Sequence, residues 1–338
     1  MRYQRVHIEA IAYALPPIEV TTLSLERMLG PLLRRLGLAD GVLEALTGVA
    51  ARRFWPDGFL NSDAATLAAR TLVERHGLPA CGVQALVSTS VGKDYLEPPI
   101  ASLVAGDLGL GADCLNFDVG HACLGFMTGM TAVANLIELG QIDAALVVAG
   151  EGSRTVTQGT LRRLLQPGVD FRTFSEHLAT LTLGSMAVAA LLVHERHATV
   201  GHRLLGGATR ASPRHSRLCL GTANEMKTEA ATLLRAGVDL AEGTYAAALA
   251  ELGLSTEKIA EFALHQVGRA NHDALTQRLG LPPDRALRLY AEYGNVGAAG
   301  VPFTLASAVE RGRVRDGDLA LLCGIGSGLN CTMLGVQW

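Results

Sequence analysis

Three residues far apart in the chain are of the types that could run acyl chemistry. The first, Cys123, sits in FDVGHACLGFMTGM. A strand end, LNFDV, runs through Gly120 into a segment that is apolar on nearly every side, and a helix of that kind must be buried. In the first turn of such a helix the unpaired backbone N–H groups and the helix dipole favour a thiolate. The glycines and alanine around Cys123 leave room for a substrate to approach. A nucleophile and a buried structural cysteine are both consistent with this segment alone.

The C-terminal part supplies candidate partners. His265, in ALHQVGRANH, lies at the end of an apolar strand-like run. A neutral imidazole there can take a thiol proton or donate to a thioester oxygen. Asn295, in EYGNVGAAGVP, occupies a glycine-bounded turn before a second apolar helix, and its side-chain NH₂ can donate beside His265 to an oxyanion. GIGSG (324–328) follows what reads as the last buried strand, and its flexible backbone can bring the Ser327 N–H towards the same carbonyl. No helix and no ribose-binding acid follow that loop, so it is not a dinucleotide fingerprint. Taken singly, His265 also suits a core position and Asn295 an ordinary turn.

The elements that would hold these residues form a pattern. QALVST (84–89), AALVVAG (144–150), AVAALLV (187–193), FALHQV (262–267) and LALLCG (319–324) are continuous apolar runs, as in strands covered on both faces. Helical stretches alternate with them, for example 62–77, where Ser62 or Asp63 is the expected cap. The class is therefore α/β. A weak internal repeat adds more. Residues 122–148 align with 297–323, bringing Gly125 onto Gly300 and Asp143 onto Asp318, while 85–92 align with 261–268. Ala298 then lies opposite Cys123, and His265 opposite Thr89. Two similar halves are expected, 1–198 with the nucleophile and 199–338 with His265 and Asn295. A site between them would take groups from each. Residues 153–180 interrupt the alternation as an amphipathic insertion, a cap over a pocket, an interface or a surface helix.

Composition narrows the class of protein. The 338 residues are 49% hydrophobic and 18% charged, enough to bury a large core. The formal net charge is −3 and no Lys/Arg-rich block occurs, so a nucleic-acid footprint is absent. No segment reaches the roughly 18 apolar residues of a membrane span, and the N-terminus lacks a signal-peptide layout. The six cysteines form no CxxC pair and no zinc-ligand spacing, so reduced thiols, no metal and a cytoplasmic location are expected.

At ACLGF, HQVGR, GNVGAAGVP and GIGSG, in that order and spacing, the sequence resembles the ketoacyl synthase III-like branch of the thiolase superfamily, over nearly the whole chain. Within it the chain looks most like the OleA-type enzymes, through SDAATLAAR, TSVGKDYLEPPIAS, FDVGHACLGFMTGM, DAALVVAGE, LTLG and GIGSGLNC. It departs from ordinary ketoacyl synthase III at Leu124 and at the Gly-Ser-Gly loop, and from the expected OleA-type form at Gly120-His121.

The resemblance implies a five-layered αβαβα thiolase fold, a homodimer, and Cys123, His265 and Asn295 as the reactive trio. It implies that Glu97, in DYLEPP and otherwise an ordinary loop carboxylate, reaches the neighbouring subunit's site as the general base. The implied reaction is a non-decarboxylative Claisen condensation of two fatty acyl-CoA molecules through an acyl-Cys123 intermediate. Coenzyme A thioesters serve as substrates, with no further cofactor and with downstream olefin or β-lactone enzymes as possible partners. The backbone N–H groups of Cys123 and Ser327 would hold the oxyanion. The competing readings are a decarboxylative condensation or acyl transfer of the ketoacyl synthase III type, and a non-catalytic partner subunit.

Overall fold

The computed structural model describes residues 1–338. The first half of the chain runs β1 (Val6–Ala14), β2 (Ile18–Thr21), α1 (Thr22–Arg35), α2 (Val42–Thr47), β3 (Ala51–Phe54), α3 (Asn61–His76), β4 (Ala85–Ser88), α4 (Ile100–Asp107), β5 (Leu115–Asp118), α5 (Gly125–Glu138), β6 (Ala144–Glu151), α6 (Arg154–Leu164), α7 (Phe171–His177) and β7 (Met186–His194). The second runs β8 (Arg203–Ala211), β9 (Cys219–Gly221), β10 (Met226–Thr228), α8 (Ala230–Leu252), β11 (Ile259–Leu264), α9 (Arg269–Arg278), α10 (Tyr290–Tyr293), α11 (Gly300–Glu310), β12 (Leu319–Gly326) and β13 (Asn330–Gln337).

Nine strands hydrogen-bond in the order β11-β12-β13-β8-β1-β7-β6-β4-β5. The sheet divides where β1 meets β8, which pair only at His7 and Arg203. On one side the order β4-β6-β7-β1 is matched on the other by β11-β12-β13-β8. β4/β6 and β11/β12 are parallel, and β6/β7 and β12/β13 antiparallel. The aligned segments therefore occupy equivalent places, and residues 198 and 199 fall between β7 and β8.

Why the strands are apolar throughout is visible in their alternation, since successive side chains leave a strand on opposite faces. Ala145, Val147 and Ala149 of β6 join a core with Val188 and Ala190 of β7 and with α5 and α11. Their neighbours Ala144, Leu146 and Val148 join a different core, against α3 and α4. In the other half Ala320 and Leu322 face the central helices, while Leu321 and Cys323 face α8 and α9. Five layers result: α3 and α4, one sheet half, α5 and α11, the other sheet half, then α8 and α9. This is the expected αβαβα thiolase arrangement. α11 is the more deeply enclosed central helix, with Gly300–Ala308 buried without a break. α5 is less completely enclosed than its apolar sequence suggests, because Thr128 and Thr131 are half-buried and Asn135 is exposed.

Several local expectations are corrected. α3 is capped neither by Ser62 nor by Asp63. Its cap residue is Leu60, whose N–H donates to Asp63 Oδ2 (2.9 Å), and the first helical amides, Asn61 and Ser62, donate to Asp94 from the loop after β4 at 2.9 and 2.8 Å. The strand ending in GIGSG is not the last. β13 follows and pairs with both β12 and β8, so Ser327 sits in a hairpin turn and not in a tail. The insertion at 153–180 folds as α6 and α7, and its Leu161, Leu164 and Phe174 share a core with α1 and α2.

β6 passes so close to α3 that Gly150 admits no side chain: a Cβ there would lie 2.0 Å from the Asn61 carbonyl oxygen and 2.7 Å from the Ala65 nitrogen. Both obstacles are backbone and cannot rotate away. Gly150→Ala is expected to lower stability by roughly 1–3 kcal/mol or more, read as a lower urea midpoint at unchanged m-value. An unchanged midpoint would show that α3 and β6 separate freely.

Candidate active site

The nucleophile candidate lies in a turn of 3₁₀-helix, Ala122–Leu124, immediately before α5, and not in the first turn of α5 itself. Ala122 has φ of +46°, a conformation costly for a residue with a Cβ. That bend lets the chain leave β5 and deliver Cys123 to the front of α5. The equivalent place in the other half is again a 3₁₀ turn, Gly297–Ala299, leading into α11. The two turns touch. A Cβ on Gly125 would lie 2.6 Å from the Thr89 carbonyl oxygen and 3.6 Å from the Ala298 Cβ, so the glycine is what allows the approach.

His265 comes one residue after β11, where its N–H continues the ladder to the Cys323 carbonyl at 2.9 Å. Thr89 does the same after β4, donating to Val148 at 2.8 Å, so the repeat register places His265 and Thr89 at equivalent corners. The His265 ring packs on the start of α11, with Nδ1 lying 3.4 Å from where a Gly300 Cβ would be. Nδ1 is buried without a partner. Nε2 makes no hydrogen bond either but is not sealed off, which leaves it as the working nitrogen.

Asn295 is held from both sides of its backbone. Its N–H donates to Thr182 and its carbonyl accepts from Gly184, both at 2.8 Å, so LTLG is the strip that backs the turn. Gly184 is obligatory there, since a Cβ would lie 2.0 Å from the Tyr293 carbonyl. The strip is itself fixed by Arg52, a buried guanidinium that donates to the Leu181 carbonyl at 2.7 Å and to the Thr22 hydroxyl at 3.0 Å. Within the Asn295 side chain, Oδ1 accepts from the Gly297 N–H at 3.1 Å. Nδ2 is thereby left as a free donor.

The hairpin carrying Ser327 packs on the Cys123 turn: a Cβ on Gly326 would lie 3.0 Å from the Leu124 nitrogen and 3.2 Å from the His121 carbonyl. Neither the Cys123 nor the Ser327 N–H donates to another backbone group. Cys123, His265, Asn295 and Ser327 are thus drawn from four turns that converge where the halves meet. Glu97 is not among them. It is exposed, has no hydrogen-bond partner in the chain, and follows the 98%-exposed Leu96 and the exposed Tyr95.

Burial dominates the electrostatics. Cys123 and His265 lie deep in the protein yet keep accessible surface, so they border interior space. Burial, followed by the nearby Glu151 carboxyl, pushes the Cys123 thiol up to about 12. The expected thiolate is therefore not the resting form. No cation offsets the desolvation of the sulfur, and a single short turn is too weak to do so. Burial also lowers His265 to about 4, leaving it neutral at pH 7. A thiol and an imidazole that are both neutral at rest exchange a proton only as the sulfur attacks a carbonyl, not beforehand.

Sequence reasoning passed over Glu151, Arg52 and the Ala122 bend. Only Glu151 left a visible signal, as an acid closing the buried run AALVVAGE. It is 7% exposed, and burial raises its carboxyl to about 8.

The raised thiol has a direct consequence. Alkylation of Cys123 by iodoacetamide, followed by peptide mass spectrometry, is expected to accelerate about tenfold per pH unit up to at least pH 10, because thiolate is the reactive form. A plateau below pH 8 would mean that the site contains a stabilised thiolate.

Comparisons with known proteins agree with this architecture. The family profile described as 3-oxoacyl-[acyl-carrier-protein (ACP)] synthase III matches residues 117–164, and its C-terminal counterpart matches 249–338. The acyl-CoA:acyl-CoA alkyltransferase of Xanthomonas campestris pv. campestris is 40% identical, with all of both chains covered. The enzyme of the same name from Shewanella oneidensis is 38% identical, again over all of both chains. A crystal structure of cerulenin-bound Xanthomonas campestris OleA superposes with a TM-score of 0.97 at 39% identity, covering 100% of this chain and 98% of that one. Structures of that OleA include variants at a glutamate, a cysteine and a histidine, which have the same mutual spacing there as Glu97, Cys123 and His265 have here. The chain belongs to the acyl-CoA:acyl-CoA alkyltransferase family, the OleA-type branch of the ketoacyl synthase III-like thiolase-fold enzymes.

Proposed function

We propose that the protein joins two fatty acyl-CoA molecules by a non-decarboxylative Claisen condensation, with Cys123 carrying the first acyl group. The observation that carries this is the convergence of an interior thiol, a neutral imidazole and an uncommitted carboxamide N–H at the contact of the two buried helix starts. Whole-length identity to two alkyltransferases of that name supports the substrate class, as does the solved complex of Xanthomonas OleA with lauric acid and lauroyl-CoA.

In the first stage Cys123 Sγ attacks the thioester carbonyl as its proton passes to His265 Nε2. The carbonyl oxygen becomes an oxyanion facing the unused N–H groups of Cys123 and Ser327. Collapse expels coenzyme A, which leaves with the proton. In the second stage Glu97 takes a proton from the α-carbon of another acyl-CoA. His265, now in the tautomer that carries its proton on Nε2, and Asn295 Nδ2 donate to the enolate oxygen. The α-carbon attacks the acyl-cysteine carbonyl, and the C–S bond breaks to return the Cys123 thiol, with the proton gained by Glu97 restoring the balance. The product is a β-ketoacyl thioester, and adding water releases a β-keto acid and coenzyme A. No carboxyl group leaves, so a base is chemically required, and a carboxylate can supply it.

Glu97 serves this role in a homodimer, where the DYLEPP loop enters the neighbouring subunit's site. Its exposure and lack of partners, next to exposed Val91, Tyr95 and Leu96, suit a loop that buries itself elsewhere. A reducing, cytoplasmic setting agrees with six unpaired cysteines and with no helix long and apolar enough to cross a membrane. Supply of a β-keto acid to an olefin-forming or β-lactone-forming route is the metabolic place proposed for the reaction.

Incubation with myristoyl-CoA is expected to leave the acyl adduct on the Cys123 peptide, and Cys123→Ala is expected to abolish both adduct and condensation. An adduct on Cys219 or Cys331 would overturn the assignment. Separately, Glu97→Ala should release a single burst of coenzyme A and then stall as acyl-enzyme. Continued condensation by Glu97→Ala would remove Glu97 from the mechanism. His265→Ala and Asn295→Asp should slow condensation on the order of 10²–10³-fold, as loss of an oxyanion donor does. Rates unaffected in both variants would make these residues structural.

A further inference from the structure

Glu151 ends β6 at the point where the two halves face each other, and one oxygen of its carboxyl does two jobs. Oε1 accepts from the Val91 N–H at 3.1 Å and from the Ala298 N–H at 3.3 Å. Ala298 belongs to the turn that follows Asn295, and Gly297 in that turn lies so close that a Cβ there would sit 3.0 Å from the Glu151 carboxyl carbon. Val91 begins the loop that leads to Glu97. The loop is otherwise moored by Asp94 to the α3 N-terminus and by Ile100 to Asp118. The Glu151 main chain is pinned as well, its carbonyl accepting from Trp55 Nε1 at 3.0 Å. A buried side chain fixed at its backbone therefore spans, through one oxygen, two loops with different tasks.

We propose that Glu151 is a positioning residue that ties the Asn295 turn of its own site to the loop that carries Glu97 to the other subunit's site. The second half of this statement rests on the reading of Glu97 as a base acting across the dimer. The Glu151 carboxyl makes its hydrogen bonds to Val91 and Ala298 and none to Cys123, His265 or Asn295. Its carboxyl is largely neutral at pH 7, because burial raises it to about 8 against the two amide hydrogen bonds that favour ionisation. What the arrangement needs is thus a carbonyl-type acceptor, which glutamine also provides. Removing the acceptor leaves two loop amides without a partner and lets both loops drift. Misplacement on the ångström scale costs on the order of a hundredfold in rate. Glu151 makes no hydrogen bond to the Cys123 turn, and loss of its carboxyl removes a group that disfavours the thiolate, so formation of the acyl-enzyme is expected to survive.

The test uses full-length dimers, with single-turnover acylation of Cys123 by myristoyl-CoA and condensation measured separately. In homodimers, Glu151→Ala is expected to acylate near the wild-type rate and to condense ten- to a hundredfold more slowly. Glu151→Gln is expected to recover most of that loss. Equal loss in both variants, or loss of acylation along with condensation in folded protein, overturns the positioning role. Melting curves check folding, and Glu151→Asp, one methylene shorter, replaces Glu151→Ala if the latter fails to fold.

The cross-dimer half is read in mixed dimers isolated with two affinity tags. One subunit is wild type and its partner carries Cys123→Ala, alone or combined with Glu151→Ala, Glu151→Gln or Glu97→Ala. Only the wild-type subunit can then be acylated, and its own Glu151 is intact. Condensation at that site is expected to fall about tenfold or more when the partner carries Glu151→Ala, and to recover with Glu151→Gln. Equal rates with and without Glu151→Ala in the partner overturn the link, whatever Glu97 does. The Glu97→Ala combination reports on the other reading independently: retained condensation there removes Glu97 as a base acting across the dimer.

Discussion

The two central helices begin against each other, and the site exists because of how tightly they do so. Cys123 and Ala298 sit at equivalent places in 3₁₀ turns that touch, and Gly125 and Gly300 open the helices behind them. At Gly125 a side chain would run into the Thr89 carbonyl, and at Gly300 a methyl would just reach His265 Nδ1. A duplicated unit that packs its copies face to face in this way brings four chain turns together without any of them being a long loop. Pre-organisation is then a property of the middle layer, where α11 is buried over nine consecutive residues. The strain at Ala122 is sustained by the same enclosure.

That enclosure also decides the electrostatics. A thiol, an imidazole and a carboxyl are all buried where the halves meet with no cation to stabilise a charge, so burial shifts each towards its neutral form. Charge appears only when the substrate brings a carbonyl that can become an oxyanion or enolate, where preorganised N–H donors are worth most. Arg52 is the one buried cation nearby in the fold, and it is spent on carbonyl and hydroxyl oxygens that brace the strip behind Asn295. Burial lowers it to about 10, which still leaves it charged at pH 7.

Much of this was legible in the sequence because burial on both faces leaves a plain mark. Five continuous apolar runs are strands, and glycines at matched positions reveal the duplicated turn and helix. What was not legible depends on partners distant in the chain. Leu60 displaces Ser62 as the cap of α3 because Asp94 arrives from another loop to take the helix amides. β13 is hidden because NCTMLGVQ mixes Thr, Gly and Gln with apolar residues, and only its place between β12 and β8 makes it a core strand. The thiolate expectation weighed the helix end but not the depth of the sulfur. Glu151 drew no reading from the sequence, because its burial comes from contacts with the second half, at Gly297 and Ala298. That the turns carrying Cys123, His265, Asn295 and Ser327 lie where the halves meet needed the fold, although the repeat register already paired Cys123 with the Ala298 turn.

The central claim is that the second carbanion is made by removing a proton and not by losing carbon dioxide. The most direct measurement is turnover with a long-chain acyl-CoA as the sole thioester, following coenzyme A release and the condensed product by mass spectrometry. The account predicts sustained release and accumulation of a β-keto product containing both acyl chains, with no malonyl donor present. A single burst of coenzyme A equal to the enzyme concentration, with condensation starting only when a malonyl thioester is added, would contradict it.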